Sequence, residues 1–73
     1  MNAARALLAE ALGLPEQDLA ADARIGSLDQ WDSLAHARIL LALEERIGKM
    51  LDAEEAARIE SLSDIAVMLE RHR

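Results

Sequence analysis

Apolar residues recur with the period of an α-helix along the first part of the chain. They occupy Ala4, Leu7, Leu8, Ala11 and Leu12. The spacing i, i+3, i+4, i+7 and i+8 gathers these side chains on one side of a helix. Gly13 follows with the freedom to adopt a left-handed backbone, and Pro15 stops the helix from continuing. The pattern predicts a first helix that ends near Leu12.

A second apolar stretch predicts a longer helix. It begins near Asp32 or Ser33, runs to about Ile47 and has Gly48 just past its end. At about 100° per residue, one sector of this helix is almost entirely apolar. That sector, the predicted core face, holds His36, Ile39, Leu40, Leu43 and Ile47.

Two leucines of the second helix point away from this core face. Leu34 and Leu41 lie two turns apart and form an apolar stripe on the other side. Their neighbours on that side are Ala37, Arg38, Glu44 and Glu45. Two arrangements fit the pattern: either the loop or a short helix covers the stripe, or these six residues form a docking surface for partner proteins.

A long loop, from Gly13 to about Trp31, separates the first two helices. Single apolar residues recur in it between polar ones, at Leu14, Leu19, Ile25 and Leu28. We expect the loop to lie across the core and to bury these side chains at intervals.

Two capping-box patterns predict the remaining helices. Asp52 and Glu55 introduce a short helix through about Arg58, and Ser61 and Asp64 repeat the pattern before a last helix. The inner side of the last helix carries Leu62, Ile65, Ala66, Met68 and Leu69, and its end carries Arg71, His72 and Arg73. The chain is therefore predicted to be all-α, a bundle of three longer helices and one short helix.

Composition narrows the possible functions. With 73 residues, the chain is expected to form one domain over residues 1–73. The absence of cysteine excludes disulfides, thiolate metal sites and a thiol nucleophile of the protein itself. His36 is predicted to be a core residue and His72 is isolated, so we expect no metal site. No apolar run is long enough to cross a membrane, and we expect a cytoplasmic protein.

The net charge of −6 limits the partners. It opposes nucleic acid, because a helix-turn-helix reader needs a basic recognition helix and the second helix mixes Arg38 and Arg46 with acids. An acidic surface instead favours basic patches on proteins. We expect a monomer that binds other proteins, with no nucleic-acid or membrane partner.

Ser33 is the main candidate for chemistry. A serine at a helix start usually caps the helix, but Asp32 precedes it and can accept that hydrogen bond. The Ser33 hydroxyl would then be free at a helix end whose unpaired N–H groups favour a phosphate ester. A hydrolase reading is disfavoured because no base or oxyanion site is placed near the serine. Glu54 and Glu55 cap a helix, and paired-carboxylate catalysis is disfavoured as well.

The chain resembles the acyl carrier protein family. The triplet Asp32-Ser33-Leu34 matches the attachment motif of that family. The run 40–45 resembles its second helix, and the run 61–65 resembles the entry to its last helix. The resemblance covers essentially the whole chain and implies a four-helix acyl-carrier-like bundle with a long loop between the first and second helices.

The resemblance also implies a function for individual residues. Ser33 would receive a covalent 4′-phosphopantetheine from a phosphopantetheinyl transferase, and Asp32 would help that enzyme recognise the site or hold its metal. Leu34, Leu41 and Glu44 would contact enzymes that load and process the cargo. The arm would hold acyl, aminoacyl or related groups as thioesters, so the protein itself would not be an enzyme.

The chain departs from the carriers of primary fatty acid synthesis, which generally have glycine two residues before the serine and acids early in the second helix. Trp31 takes the place of the glycine, and Ala35, His36 and Arg38 occupy the early helix. We expect a specialised pathway, such as polyketide, nonribosomal peptide or modified-sugar assembly, with partner choice governed by Trp31, Ala35 and Arg38. Trp31 could close the loop over the core, line the surface beside the arm, or do both.

One alternative from another functional class remains. A non-enzymatic helical interaction module with an unmodified Ser33 would have the same fold and the same acidic surface. Only modification of the serine separates the two hypotheses.

Overall fold

Four α-helices make up most of the structure. The computed structural model describes residues 2–72, with helices α1 (Asn2–Leu12), α2 (Ser33–Ile47), α3 (Ala53–Ala57) and α4 (Leu62–Arg71). Residues 2–72 contain no β-strand, which confirms the all-α prediction. The ends of the predicted domain, Met1 and Arg73, lie outside the described residues. No helix in the described part combines the length and apolar character that crossing a membrane requires.

The core lies between α1, α2 and α4, each of which contacts the other two. Its largest fully buried side chains are Leu8, Ile39, Leu43, Ile59, Leu62 and Ile65. The predicted core face of α2 is confirmed, since Ile39 and Leu43 are fully buried and its other members are half-buried. Met68 of α4 is buried as well, as its position in the apolar pattern predicts.

The loop between α1 and α2 is packed, as predicted, but one of its expected anchors is wrong. Leu19 is buried and Leu14 and Leu28 are half-buried, whereas Ile25 is 39% exposed. Ile25 instead holds the loop through its backbone, because its N–H donates to the Glu60 carbonyl at 2.8 Å. The side chain buried in this part of the loop is the small Ala23.

The starts of α3 and α4 have the predicted capping residues, with one correction. Asp52 and Glu55 form the complete capping box of α3. At α4, the Ser61 hydroxyl accepts from the Asp64 N–H at 3.1 Å, but the Asp64 carboxylate accepts from the N–H of Glu60 at 2.9 Å. The second box is therefore half formed, because the Asp64 side chain reaches the residue before the cap.

Candidate functional site at the start of α2

Ser33 is the first residue of α2 and its side chain is exposed. The residue before it caps the helix: a carboxylate oxygen of Asp32 accepts from the Ala35 N–H at 2.8 Å, and the Asp32 backbone is extended. Within residues 2–72, no hydrogen bond involves the Ser33 hydroxyl. The prediction that Asp32 relieves Ser33 of capping is confirmed.

The electrostatics of this helix end favour an anion. The first amide groups of a helix lack partners inside the helix, and the aligned peptide dipoles place a partial positive charge there. α2 has 15 residues and no acidic side chain in its first turn. A phosphate ester on Ser33 would meet this potential with one carboxylate nearby, that of the capping residue Asp32, which is bonded to the Ala35 N–H.

Trp31 closes the loop over the core, which decides between the two arrangements open for it. Its side chain is 3% exposed, and its indole Nε1 donates to Nδ1 of His36 at 3.1 Å. Ala35 is also buried. Of the three residues expected to govern partner choice, only Arg38 is therefore on the surface. The expectation for Trp31 and Ala35 is corrected, because their side chains face inward.

The hydrogen bond between Trp31 and His36 is a feature that the sequence interpretation missed. His36 was predicted as a core residue, and it is half-buried with this indole as its partner. A signal was present: a tryptophan and a histidine flank a capped helix start five positions apart. That spacing, however, predicts a contact only when both rings turn to the same side.

The apolar stripe of Leu34 and Leu41 lies on the surface. Their side chains are 63% and 60% exposed, so neither the loop nor α3 covers them. We call these two residues the outer stripe of α2. The stripe runs from the residue after Ser33 for two turns along the same helix. A protein bound to it would lie next to the Ser33 hydroxyl.

The other predicted contact residues divide between the two flanks of the stripe. Ala37 is exposed, and Arg38 and Glu45 are exposed and border a groove of about 540 Å³ between α1 and α2. Glu44 is half-buried, and its carboxylate accepts from the Leu51 N–H at 3.0 Å. Glu44 therefore also holds the segment that follows α2, a role that the sequence interpretation missed.

The remaining titratable candidates have structural partners. Glu54 pairs with Arg58 at 2.6 Å, and Glu55 accepts from the Asp52 N–H at 3.4 Å within the capping box. His72, which the sequence left without a partner, lies 3.7 Å from Glu55. Within residues 2–72 no three metal-ligating side chains come together.

Comparison with known families adds an independent finding. The sequence model of a family described as the phosphopantetheine attachment site matches residues 2–69. The match covers α1, α2 and α3 completely and α4 as far as Leu69, and it includes Ser33. A search of curated proteins finds none that matches the chain.

Proposed function

The chain belongs to the phosphopantetheine attachment site family, and from this premise we propose that Ser33 is its attachment residue. Members of the family carry 4′-phosphopantetheine covalently on a serine. The protein is therefore a phosphopantetheine-bearing carrier, and the family implies interaction with a phosphopantetheinyl transferase and with biosynthetic enzymes. The observation that supports Ser33 is its exposed hydroxyl, which Asp32 leaves free by capping α2.

The other serines are less suited to the group. The Ser27 hydroxyl donates to the Arg24 carbonyl at 2.7 Å, and Ser61 caps α4. Ser63 is exposed, but the first turn of its helix α4 contains the acid Asp64, whereas the first turn of α2 contains none. Ser33 alone combines a free hydroxyl with a first turn that has no acid.

The start of α2 fits the group sterically and electrostatically. Ser33 and Leu34 are exposed, so a transferase can approach the hydroxyl from solvent. The helix end stabilises the phosphodiester, and Asp32 presents its carboxylate one residue away for recognition by the transferase or for its metal. When bound, the group supplies a terminal thiol that holds acyl or aminoacyl cargo as a thioester, which the cysteine-free chain cannot do.

We assign the enzyme contacts of this carrier to the exposed side of α2. The outer stripe provides apolar area beside Ser33, and the charged flanks provide orientation. The contact residues are Leu34, Ala37, Arg38, Leu41, Glu44 and Glu45. Residues 1–73 then act as one monomeric carrier domain without catalytic activity of its own.

Arg38 and Trp31 support a specialised pathway. Arg38 adds a positive charge to the exposed side of α2, which changes the complementarity offered to partners that select acidic carriers. Trp31 stands where carriers of primary fatty acid synthesis generally have glycine, and its large ring is buried directly before the capping residue. We propose that the cargo belongs to a polyketide, nonribosomal peptide or modified-sugar pathway.

Intact mass spectrometry tests the attachment. The purified chain is incubated with coenzyme A and a broad-specificity transferase, and we expect a mass gain of one phosphopantetheine. Ser33→Ala should abolish the gain, while the matched variant Ser63→Ala should retain it. No gain with the wild-type chain would favour the unmodified interaction module. A gain that survives Ser33→Ala and is lost in Ser63→Ala would move the site to α4.

A further inference from the structure

The rings of Trp31 and His36 meet across the turn that carries Ser33. The indole Nε1 donates to the imidazole Nδ1 at 3.1 Å, and the ring centroids lie 6.2 Å apart with the ring planes 24° from parallel. The residues between them, 32–35, contain the helix cap and the serine. We call this pair the Trp31–His36 clip.

Each half of the clip is anchored on a different side of the serine. Trp31 ends the loop: its ring is buried in the core and its N–H donates to the Leu28 carbonyl at 3.1 Å. His36 belongs to α2, since its N–H donates to the Asp32 carbonyl at 2.8 Å. The clip therefore ties the end of the loop to the first turn of the helix, with Ser33 between the two anchors.

The clip adds a constraint that capping alone does not provide. The hydrogen bond from Ala35 to Asp32 fixes the helix start relative to its own first turn, while the loop between α1 and α2 approaches from outside the helix. The chain has one tryptophan and no tyrosine or phenylalanine, so no other indole or phenyl ring can take the place of Trp31 in this link. The exposed turn at Ser33 is thereby linked to the core through the buried side chain of Trp31.

We propose that Trp31 and His36 are positioning residues for the modification of Ser33, an inference that rests on the function proposed above. The clip holds the serine turn in the one conformation that the transferase binds. Without it, part of the population leaves this conformation, and the apparent affinity for the transferase falls by the fraction lost. Chemistry at the hydroxyl is unchanged once the turn is bound, so KM rises while kcat stays constant.

Three variants separate the hydrogen bond from the bulk of the two rings. Trp31→Phe keeps an aromatic ring and removes the N–H donor, and His36→Leu removes the acceptor. His36→Asn keeps an acceptor, because the amide oxygen of asparagine is bonded to Cγ, as Nδ1 is in histidine. It should therefore rescue the loss seen with His36→Leu.

The hydrogen bond itself has a direct spectroscopic signature. The chain has one tryptophan, so a proton–nitrogen correlation spectrum shows one indole N–H signal. An imidazole that accepts at Nδ1 carries its ring proton at Nε2, which nitrogen shifts of the ring report. We expect this tautomer for His36 in the wild-type chain, and a shifted indole signal in His36→Leu that returns toward its original position in His36→Asn.

The test measures KM and kcat of the transferase reaction with the full apo chain as substrate. We expect Trp31→Phe and His36→Leu to raise KM about 2- to 12-fold, the factor for one net hydrogen bond, with kcat unchanged and His36→Asn close to wild type. Ser61→Ala is the matched control, because it weakens the fold at α4 away from the clip. It should lower the melting temperature and leave KM unchanged.

The possible outcomes separate a failure of the positioning role from a failure of the proposed attachment at Ser33. If the wild-type chain is loaded and both clip variants keep its KM, the positioning role is overturned and Ser33 remains the attachment site. If Ser61→Ala raises KM as much as His36→Leu does, general stability explains the effect and the positioning role is again overturned. If the wild-type chain is never loaded, the proposed function itself fails.

Discussion

Two Ser-Leu pairs stand at helix starts in this protein, and the structure uses them in opposite ways. Ser61 is the cap of α4, with its hydroxyl engaged by the Asp64 N–H, and Leu62 after it is fully buried. Ser33 is already inside α2, its hydroxyl is free, and Leu34 after it is 63% exposed. The same dipeptide thus stabilises the fold in one place and is available for chemistry in the other.

The difference follows from one preceding residue. At α2, Asp32 takes the capping position and moves the serine one place into the helix, where a side-chain oxygen is not needed for the cap. At α4, Glu60 precedes the serine, its N–H donates to Asp64, and the capping position is left to Ser61. A free serine hydroxyl at a helix start therefore depends on a neighbour that caps in its place.

The two leucines give the largest expected contrast. Leu62→Ala should lower the free energy of unfolding by about 2–5 kcal/mol, because it leaves a cavity among buried side chains. Leu34→Ala should change it by less than about 0.5 kcal/mol, since the side chain lies on the surface. Urea denaturation followed by Trp31 fluorescence measures both. Equal losses would show that Leu34 is covered in solution.

The cap of α2 should have the next largest effect, and two variants divide its roles. Asp32→Ala should lower the free energy of unfolding by about 0.5–2 kcal/mol, whereas Asp32→Asn should leave it nearly unchanged because asparagine also caps. Both variants remove the carboxylate, so we expect both to slow transferase loading. Loading of Asp32→Asn at the wild-type rate would show that the carboxylate is not recognised.

Substitutions of the two serines should have opposite consequences: one lowers stability and keeps loading, and the other keeps stability and abolishes loading. Ser61→Ala should lower the free energy of unfolding by about 1 kcal/mol through the lost cap and should still be loaded. Ser33→Ala should stay within about 0.5 kcal/mol of wild type and lose loading completely. Thermal denaturation and intact mass on the same preparations test both statements. A marked destabilisation by Ser33→Ala would mean that its hydroxyl has a structural partner.

Leu41 should also have a small effect on stability, because it is about as exposed as Leu34. Leu41→Ala should cost less than about 1 kcal/mol, while Leu43→Ala, two positions on and fully buried, should cost about 2–5 kcal/mol. Leu41→Ala should nevertheless slow loading, because it removes apolar contact area beside Ser33. Unchanged loading rates at limiting carrier concentration would remove Leu41 from the partner surface.

Features set by neighbouring residues were predictable from the sequence. The bounds of α2 match the prediction at both ends, because the Asp32 cap and the left-handed Gly48, with φ of 78°, act within one turn. The capping box of α3 is local in the same way. The attachment motif could likewise be recognised in the sequence, since it consists of three adjacent residues.

Features that depend on contacts between distant parts of the chain could not be predicted from the sequence. Ile25 is apolar, like a core residue, but its side chain is not what holds it in place. Its backbone N–H donates to the carbonyl of Glu60, 35 positions later in the chain. Glu44 has the pattern of a surface acid, yet the chain after α2 turns back so that the Leu51 N–H reaches it. Neither arrangement leaves a periodic signal, because each depends on where a loop returns.

The sequence by itself determined where α2, α3 and α4 begin, which residue caps each of them, and that the Ser33 hydroxyl is left free by Asp32. Capping and helical periodicity are local, because they depend on hydrogen bonds and dihedral angles within a few residues. Only the tertiary structure decided that the outer stripe stays uncovered and that Trp31 turns inward to His36. Burial depends on which elements pack together, and the phase of a helix gives the direction of a side chain without showing what lies opposite it.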